Sequence, residues 1–241
     1  NYKAIDAGVD AVHKVEVPAS WSNPEADPAP AKLTGRPETV KMVEDLMNPI
    51  ALMDGDSLPV SAFMGNPDGQ FEQGASAYEK RGTAVTVPTW NAEKCIQCNQ
   101  CAFVCSHATI RPFMLSEDEV KAAPSNIKLA DTKPKASEYK YTMSVSPLDC
   151  MGCGECITVC PVGAIEMVPQ ESQAEEQPVF DYLVANVGKK PGMPADNTVK
   201  GSQFNQPLLE FSGSCAGCAE TSYARLITQL FGEHMYISNA T

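Results

Sequence analysis

The stretch Cys95-Ile-Gln-Cys-Asn-Gln-Cys-Ala-Phe-Val-Cys105 places four cysteines in eleven residues, at a spacing of three, three and four. A second stretch, Cys150-Met-Gly-Cys-Gly-Glu-Cys-Ile-Thr-Val-Cys160, repeats this spacing, and each of its cysteines follows its counterpart by 55 residues. Ile110 and Ile165 keep the same offset. Such a registered repeat indicates an internal duplication of one metal-binding unit.

Disulfides, structural zinc and ordinary buried cysteines each account poorly for the two runs. Disulfides require an oxidising compartment, and cysteines three apart on one helical turn have poor geometry for bridging each other. Structural zinc usually takes two Cys-x-x-Cys pairs separated by about a dozen or more residues, so four thiols in one short run exceed what it needs. Ordinary buried cysteines would not repeat in register.

The spacing is typical of an iron-sulfur protein. A cubane cluster presents four irons, and a short loop winding into a helix can bring three thiolates to one cluster. In the bacterial two-cluster pattern C-x2-C-x2-C-x3-C-P, the fourth cysteine of each run binds the other cluster. We therefore expect one [4Fe-4S] cluster on Cys95, Cys98, Cys101 and Cys160, and a second on Cys150, Cys153, Cys156 and Cys105.

The two runs differ in the residue that follows the last cysteine. Pro161 follows Cys160 as the pattern requires, whereas the first run has Ser106 in place of the proline. A serine there restores a backbone donor, so it alters local hydrogen bonding without removing a ligand. Gly152 and Gly154 are interleaved with the second set of thiols, which fits a backbone pressed close against a cluster.

Composition and charge exclude several classes of function. The 241 residues include 18 Lys and Arg against 30 Asp and Glu, and the net charge of -12 argues against binding nucleic acid or an anionic membrane surface. The absence of a long apolar run and of a signal peptide predicts a soluble, cytoplasmic chain without a membrane partner. Both ends look cut, so we expect a segment of a longer polypeptide.

The predicted fold class is α+β: a bacterial double-cluster ferredoxin-like domain with long irregular flanking segments and partial α/β pieces at both ends. The expected organisation is the end of an upstream α/β domain (1–24), a linker with a Glu79-Lys80-Arg81 motif (25–86), the double-cluster domain (87–169), a connector (170–207) and the start of a further domain (208–241).

Local patterns predict individual elements. Helices are expected from Ala4 to His13, from Pro37 to Met47 with Val40, Val43 and Met47 on one side, after a capping box at Ser116 to Glu119, and from Thr221 to Phe231. Strands are expected at Lys14 to Pro18, at Tyr139 to Val145 and after the last helix, and residues 48–89 are expected to be mostly extended loop. Local pattern alone assigns no role to the charged cluster Tyr78-Glu-Lys-Arg-Gly82, for which a solvated turn is the plainest interpretation.

A third cysteine pair, Cys215 and Cys218, lies outside the duplicated unit. Spacing alone leaves a redox dithiol, half a zinc site and two buried residues equally open. Since eight cysteines complete two clusters, half of a third four-cysteine site, with its other thiols beyond Thr241, is the simplest account. The histidines are expected on the surface or in the core rather than as ligands: His13, His107 and His234.

Four features together resemble the pyruvate:ferredoxin (flavodoxin) oxidoreductases, over essentially the whole chain. They are Tyr78-Glu-Lys-Arg-Gly82, the two cysteine runs with an insertion between them, Val199-Lys-Gly-Ser-Gln-Phe204, and Glu210-Phe-Ser-Gly-Ser-Cys-Ala-Gly-Cys218. The resemblance implies part of a large cytoplasmic enzyme of anaerobes, usually a homodimer. Such an enzyme uses thiamine diphosphate with Mg²⁺ to convert pyruvate and coenzyme A to acetyl-CoA and carbon dioxide. Its electrons pass through three [4Fe-4S] clusters to ferredoxin or flavodoxin.

The resemblance also implies roles for the last segment. Cys215 and Cys218 match two ligands of a third cluster beside the thiamine, which makes residues 208–241 the start of the thiamine-diphosphate domain. Glu220 falls where the family has an acidic residue near that cofactor, although Ala219 and Ser222 depart from the family pattern. Alternatively, Glu220 is a glutamate favoured at a helix start by the helix dipole. No catalytic residue is expected in this segment, and turnover requires the remainder of the same enzyme.

Two other functions compete with this one. A freestanding polyferredoxin, or an iron-sulfur subunit of another oxidoreductase complex, would exchange single electrons without a substrate. A zinc-stabilised scaffold would be colourless and free of acid-labile sulfide.

Overall fold

The computed structural model describes residues 2–23, 32–133 and 138–238. Residues 25–31 of the predicted linker and residues 239–241 of the last predicted segment lie outside the described residues. The chain is a mixture of helices and short sheets that divides into two compact units, residues 1–36 and 37–241. None of the helices in the described ranges has the length and apolar character needed to cross a bilayer.

The first unit contains helix α1, Tyr2–Asp10, and a 3-10 turn, Ala19–Ser22. The helix confirms the prediction of Ala4 to His13 with its bounds shifted towards the N-terminus. The predicted strand at Lys14 to Pro18 is wrong, because these residues have no regular structure. A strand is stable only when its backbone groups pair with another strand, and the described part of this unit contains none.

The second unit begins with a helix that is longer than predicted. It runs through α2 (Pro37–Met42), a π-helical turn (Val43–Met47) and α3 (Asn48–Ala51). Its buried residues are Thr39, Met42, Val43 and Leu46, whereas the predicted Val40 and Met47 are half-buried beside them. The following segment, expected to be extended, instead forms short 3-10 turns at Gly55–Ser57, Val60–Phe63 and Ala75–Tyr78.

The duplication seen in the sequence is repeated in the order of the elements. The first half contains β1 (Thr86–Trp90), α4 (Gln100–Val104) and β2 (Ile110–Leu115). After an inserted helix, α5 (Glu117–Ala122), and a short strand, β3 (Ala130–Asp131), the second half contains β4 (Lys140–Val145), α6 (Glu155–Thr158) and β5 (Ile165–Pro169). Corresponding elements overlap at the same 55-residue offset as the cysteines.

The two halves exchange strands. β1 pairs antiparallel with β5, which places Trp90 opposite Ile165. β2 pairs antiparallel with β4, which places Ile110 opposite Val145, and β3 pairs with the other edge of β4. Because each sheet takes one strand from each half, neither half can fold into its sheet without the other.

Cysteines are part of the main hydrophobic core. The buried Cys101 and Cys156 belong to the same cluster as Trp90, Ile110, Met114, Tyr141, Met143, Val145 and Ile165. Cys95, Cys105 and Cys160 pack against this cluster from its edge. Five of the eight thiols of the two runs therefore lie in or against one core cluster, whereas Cys150 belongs to a smaller cluster with Ala84 and Val87, and Cys153 is exposed.

The insertion between the halves confirms two predictions. Helix α5 begins with the predicted capping box: the Ser116 hydroxyl accepts from the Glu119 backbone N–H, and the Glu119 carboxylate accepts from the Ser116 backbone N–H. This exchange satisfies two N–H groups that a helix start otherwise leaves unpaired. Strand β4 coincides with the strand predicted at Tyr139 to Val145.

The segment predicted as a connector contains an 11-residue helix, α7 (Glu176–Asn186). Val179, Phe180 and Leu183 are buried on it, and Val179 and Leu183 share a cluster with Leu115 of β2. Pro178 lies in the first turn, where a helix tolerates proline because the N–H it lacks would be unpaired there. The proline was therefore a poor indicator of irregular structure.

Two helices complete the unit. α8 (Val199–Ser202) is a single turn, and α9 (Ala219–Phe231) confirms the predicted helix from Thr221 to Phe231 with a start two residues earlier. The strand predicted after it is wrong over residues 235–238, which have no regular structure.

Gly201 provides a test of the packing around α8. A Cβ atom there would lie 2.0 Å from the backbone oxygen of Ala195, and a backbone atom cannot move aside as the end of a flexible side chain can. We expect Gly201→Ala to lower the free energy of unfolding by about 2–3 kcal/mol, the usual cost of overpacking. Gly188→Ala is the matched control: a Cβ there meets nothing within 4 Å, so its unfolding midpoint in denaturant should stay near that of the parent protein. Equal midpoints for the two variants would contradict the expectation.

Candidate metal centre

Both cysteine loops require left-handed backbone conformations between their thiols. In the first loop Gln97 and Asn99 have φ of 60° and 61°, and 55 residues later Gly152 and Gly154 have φ of 66° and 79°. Glycine adopts this conformation at little steric cost, whereas other residues need compensation from their surroundings.

The compensation in the first loop comes from buried side-chain amides. Gln97 donates to the Asp131 backbone oxygen at 2.7 Å and accepts from the Lys133 backbone N–H at 2.7 Å. Asn99 donates to the Lys200 backbone oxygen at 2.8 Å and accepts from the Tyr141 hydroxyl at 2.7 Å. The loop is thereby held by groups distant in sequence.

The second loop instead has glycines, which lack a Cβ atom, at the two left-handed positions. A Cβ atom on Gly152 would lie 3.0 Å from the Thr86 backbone oxygen of β1, so the close approach expected at this glycine is to a strand. At Gly154 a Cβ would meet nothing within 4 Å, and the positive φ alone favours glycine. Each loop thus reaches the same conformation by a different means.

Three thiols of the first run share a small cavity with the last thiol of the second. The cavity is lined by Cys95, Cys98, Cys101 and Cys160, together with apolar residues that include Met143 and Ile165. Cys160 reaches it because β5, which follows that cysteine, pairs with β1 of the first half. The structure therefore brings together the four cysteines predicted for the first cluster.

The other four thiols also form a group. Burial raises the pKa of the Cys156 thiol to about 12, and the neighbouring thiols of Cys105, Cys150 and Cys153 contribute to this rise. Burial likewise raises the pKa of Cys150 to about 11, with Cys105 and Cys153 among its neighbours. Cys105 of the first run thus lies among the first three cysteines of the second run.

The donor set fits an iron-sulfur cluster. At neutral pH the buried thiols of Cys150 and Cys156 hold their protons unless a metal cation replaces them, because apolar surroundings penalise the bare thiolate. Backbone N–H groups of Gln97, Gly152 and Ala164 point at the sulfurs of Cys95, Cys150 and Cys160, at 3.3, 3.4 and 3.2 Å. Such N–H···S bonds stabilise sulfur that carries negative charge and tune a bound cluster.

A site for a single ion has a different geometry. Over the ranges that the structure describes, no three His, Cys, Asp or Glu side chains converge on a point where one metal ion would sit. A polynuclear cluster spreads its four thiolates over four irons, so its ligands need not converge in this way.

Positive charge lies near the first cavity. The Lys133 ammonium donates to the Cys95 backbone oxygen at 2.7 Å, and the Lys200 ammonium donates to the Lys133 backbone oxygen at 2.8 Å. Burial lowers the pKa of Lys200, while the nearby Cys95 and Cys98 oppose that shift. These contacts hold two ammonium groups beside the loop that carries Cys95 and Cys98.

The third pair belongs to neither group, although its loop approaches the second one: a Cβ atom on Gly217 would lie 3.3 Å from the Cβ of Cys153. Cys215 is exposed, and Cys218 is half-buried at the start of α9. Hydrogen bonds from Thr221 lower the pKa of Cys218, which favours its thiolate. Glu220 lies exposed in the first turn of α9.

The loop that carries the third pair is nevertheless tied to the first cysteine run. Ser106, the residue in place of proline, donates its hydroxyl to the Cys218 backbone oxygen at 2.8 Å. The ring nitrogens of the buried His107 lie 3.1 Å from the Ser212 backbone oxygen and 3.2 Å from that of Cys215. His107 thus fits its expected role as a core residue, and its partners make it an anchor for this loop.

A buried arginine adds a further link from α9. The Arg225 guanidinium, 1% exposed, donates to the backbone oxygens of Ala102 and Phe103 at the end of α4, at 3.2 and 2.7 Å. Carbonyls at a helix end lack partners within the helix. Arg225 therefore caps α4 from a helix more than a hundred residues away in sequence.

Sequence reasoning missed Gln97, Asn99 and Arg225 as parts of this site. The offset of 55 contained a usable signal for the first two, since it aligns them with Gly152 and Gly154. No local pattern marks Arg225.

Two family models match parts of the chain. One, described as a 4Fe-4S dicluster domain, matches residues 94–164. The other, EKR, is described as a domain of unknown function and matches residues 26–84. The chain contains a 4Fe-4S dicluster domain. Iron-sulfur binding by the two cysteine runs as a whole follows from this match together with the grouped thiols.

Curated relatives extend the similarity to the full chain. This chain is 48% identical over 243 residues to a pyruvate-flavodoxin oxidoreductase of Klebsiella pneumoniae. It is 47% identical over 246 residues to a pyruvate:ferredoxin oxidoreductase of Moorella thermoacetica. Each alignment covers all of this chain and 20% of the relative. A pyruvate dehydrogenase [NADP(+)] of Cryptosporidium parvum is 47% identical over 204 residues, 83% of this chain and 10% of that protein.

The resemblance stated from the sequence is confirmed. The chain is homologous throughout to one segment of the pyruvate-flavodoxin and pyruvate:ferredoxin oxidoreductases, and it spans about a fifth of their length.

A substitution of Tyr141 tests the side-chain amide bonds that hold the first cysteine loop. Tyr141→Phe removes the hydroxyl that donates to Asn99 and leaves a buried amide oxygen unpaired. We expect a loss of about 1–2 kcal/mol in the free energy of unfolding of the iron-loaded protein, measured by denaturant titration. Tyr223→Phe is the control, because Tyr223 is 57% exposed. Equal losses for the two variants would show that the buried hydroxyl contributes nothing specific.

Proposed function

We propose that this chain is the electron-transfer segment of a pyruvate:ferredoxin or pyruvate-flavodoxin oxidoreductase. In this proposal the double-cluster domain, residues 87–169, holds one [4Fe-4S] cluster on Cys95, Cys98, Cys101 and Cys160 and a second on Cys150, Cys153, Cys156 and Cys105. Bound clusters of this type accept and release single electrons at potentials set by charge, hydrogen bonds and exposure.

One observation carries the proposal: Cys160 lines the same cavity as Cys95, Cys98 and Cys101. Each run thus contributes its last thiol to the other group. The exchange holds two redox groups together in one apolar core, which shields them from water. Similarity to the oxidoreductases over regions outside the dicluster match favours this function over a freestanding polyferredoxin.

The remaining parts of the proposal concern the complete enzyme. Cys215 and Cys218 supply two ligands of a third cluster, whose other ligands lie beyond Thr241. Residues 208–241 begin the domain for thiamine diphosphate and Mg²⁺, with Glu220 near the cofactor, while residues 1–24 end an upstream α/β domain and residues 170–207 connect the two regions. The hydrogen bonds from Thr221 that lower the pKa of Cys218 support its role as a ligand, because metals bind the thiolate.

The same proposal includes the partners. Ferredoxin or flavodoxin accepts the electrons, as the names of the relatives state for those proteins. The complete enzyme acts in the cytoplasm as a homodimer. Nucleic acid and anionic membranes are not partners in this proposal, because a net charge of -12 repels both.

Metal content and reduction by pyruvate test the function. In the full-length protein, purified anaerobically, we expect about twelve irons and twelve sulfides per chain, and about eight of each if the third site stays empty. Addition of pyruvate and coenzyme A should produce the electron paramagnetic resonance (EPR) signals of reduced clusters. Four or fewer irons would defeat the two-cluster proposal, and full clusters that pyruvate does not reduce would defeat the proposed reaction.

The exchange of ligands is tested by Cys160→Ser. We expect this variant to alter the EPR spectrum or the iron content of the cluster on Cys95, Cys98 and Cys101, because Cys160 lines their cavity. Cys156→Ser is the matched variant in the same run and should alter the other cluster. If both substitutions perturb one and the same cluster, each run binds its own cluster and the exchange is wrong.

A further inference from the structure

The Glu79-Lys80-Arg81 motif lies in the segment that matches a domain of unknown function. A solvated turn, the plainest interpretation of the sequence, fits the exposed Glu79 and Arg81 but not Lys80. The Lys80 side chain is only 26% exposed, and its charge is paired with a carboxylate that is nearly inaccessible to water. A buried ion pair of this kind requires a structural or functional reason, because desolvating two charges is costly.

The first side of the motif is attached to the second cysteine run. The Lys80 ammonium donates to the Asp149 carboxylate at 2.6 Å, and this carboxylate, 3% exposed, also accepts from the Ser146 hydroxyl at 2.6 Å. The Gly82 backbone N–H donates to the Leu148 backbone oxygen at 2.7 Å. Asp149 immediately precedes Cys150, so these bonds hold the strand-to-loop junction that presents that thiol.

The other side of the motif is attached to the segment that leads to the third pair. The Lys80 ammonium lies 5.1 Å from the centre of the buried Phe211 ring, a cation–π contact. Arg81 donates to the Ser212 backbone oxygen at 3.4 Å, and the Ser76 hydroxyl donates to the Glu210 backbone oxygen at 3.0 Å. Cys215 follows three residues after Ser212.

The backbone of the motif is strained in a way that these contacts offset. Lys80 has a φ of 39°, in the left-handed region that a residue with a Cβ adopts only at a steric cost. Non-glycine residues persist there when their surroundings over-determine the conformation, and such residues concentrate at functional sites. Lys80 has contacts on both sides that do so.

We propose that Glu79-Lys80-Arg81 is a clamp that fixes the Cys215–Cys218 loop against the Cys150 loop. In this role Lys80 is a positioning residue: it sets the separation between the third site and the cluster on Cys150, Cys153, Cys156 and Cys105, and its charge is paired with Asp149, the residue that precedes Cys150. The inference rests on the proposed function for the identity of the groups at both ends. It assigns to the EKR segment the task of aligning two successive redox sites.

The clamp is separate from the anchors described above. Ser106 and His107 hold the Cys215–Cys218 loop to the first cysteine run, whereas Lys80 links it to the second. Removing Lys80 therefore loosens the loop without detaching it, so that a variant at this position retains the attachment through the first run.

The test uses the full-length enzyme with Lys80→Met, reduced chemically and titrated by EPR. We expect the midpoint potential of the cluster on the Cys150 run to fall, because an electron is added less easily once a neighbouring cation is lost. The magnetic interaction between this cluster and the third one should also change. Lys80→Arg, which keeps the charge, should restore both properties.

A kinetic measurement adds a second readout. After rapid mixing with pyruvate and coenzyme A, electron arrival at the double-cluster domain should slow by about tenfold, less than the roughly 10²-fold cost of a 1 Å misplacement at a catalytic site. The KM for pyruvate should not change. Lys41→Met is the matched control: it breaks an exposed Lys–Asp pair, with Asp45, in the same EKR segment, and should behave as the parent enzyme.

The outcomes are distinguishable. Parental potentials and parental magnetic interaction in Lys80→Met would overturn the clamp. If that variant loses iron, Phe211→Leu decides instead. It removes the ring contact of Lys80, together with those of Arg111 and Phe180, and keeps the ion pair; Phe180→Leu is its control because it also removes the contact between the Phe180 and Phe211 rings. A magnetic interaction changed in Phe211→Leu but not in Phe180→Leu supports the clamp, and any other result overturns it. Failure of the proposed reaction would appear in the parent enzyme as clusters that dithionite reduces and pyruvate does not, and the chemically reduced samples would still test the clamp.

Discussion

The exchange of strands between the duplicated halves is the constraint on which the rest of the structure depends. β1 pairs with β5 and β2 with β4, so each sheet is complete only when both halves are present. The same exchange brings Cys160 to the cavity of Cys95, Cys98 and Cys101. Secondary structure and thiol grouping are therefore two results of one topology, and burial of the thiols among Trp90 and its neighbours links both to the core.

Much of this arrangement could be predicted from the sequence because its signals are local or periodic. The capping box at Ser116 and the amphipathic pattern of α9 each lie within a few turns of chain. The 55-residue register is a periodic signal that the two cysteine runs show directly. The predicted strands at Lys14 to Pro18 and after α9 failed for a physical reason: alternation describes one strand, whereas stability requires a partner that the pattern does not contain. Helix α7 was missed within the predicted connector, although Pro178 in its first turn is compatible with a helix start.

The part of the site that could not be predicted consists of buried polar side chains with distant partners. Asn99 bonds to the backbone of Lys200, Lys80 to Asp149, and Arg225 to the end of α4. Each of these groups is costly to bury alone and becomes tolerable only through a partner that the fold supplies. Lys80 and Arg225 have sequence contexts that resemble those of surface residues, so the three-dimensional contacts are the only indication of their roles. Asn99 was also marked by its alignment with Gly154.

The two cysteine loops show how duplicated units can diverge while keeping one shape. The copy with Gln97 and Asn99 is braced from outside by amide bonds, and it has fewer conformations to lose on ordering than the copy with Gly152 and Gly154. The glycine copy gives up more backbone entropy when it settles around its ligand. The duplicated loops therefore differ in rigidity, and the entropic cost of binding metal is larger for the glycine loop than for the amide-anchored loop.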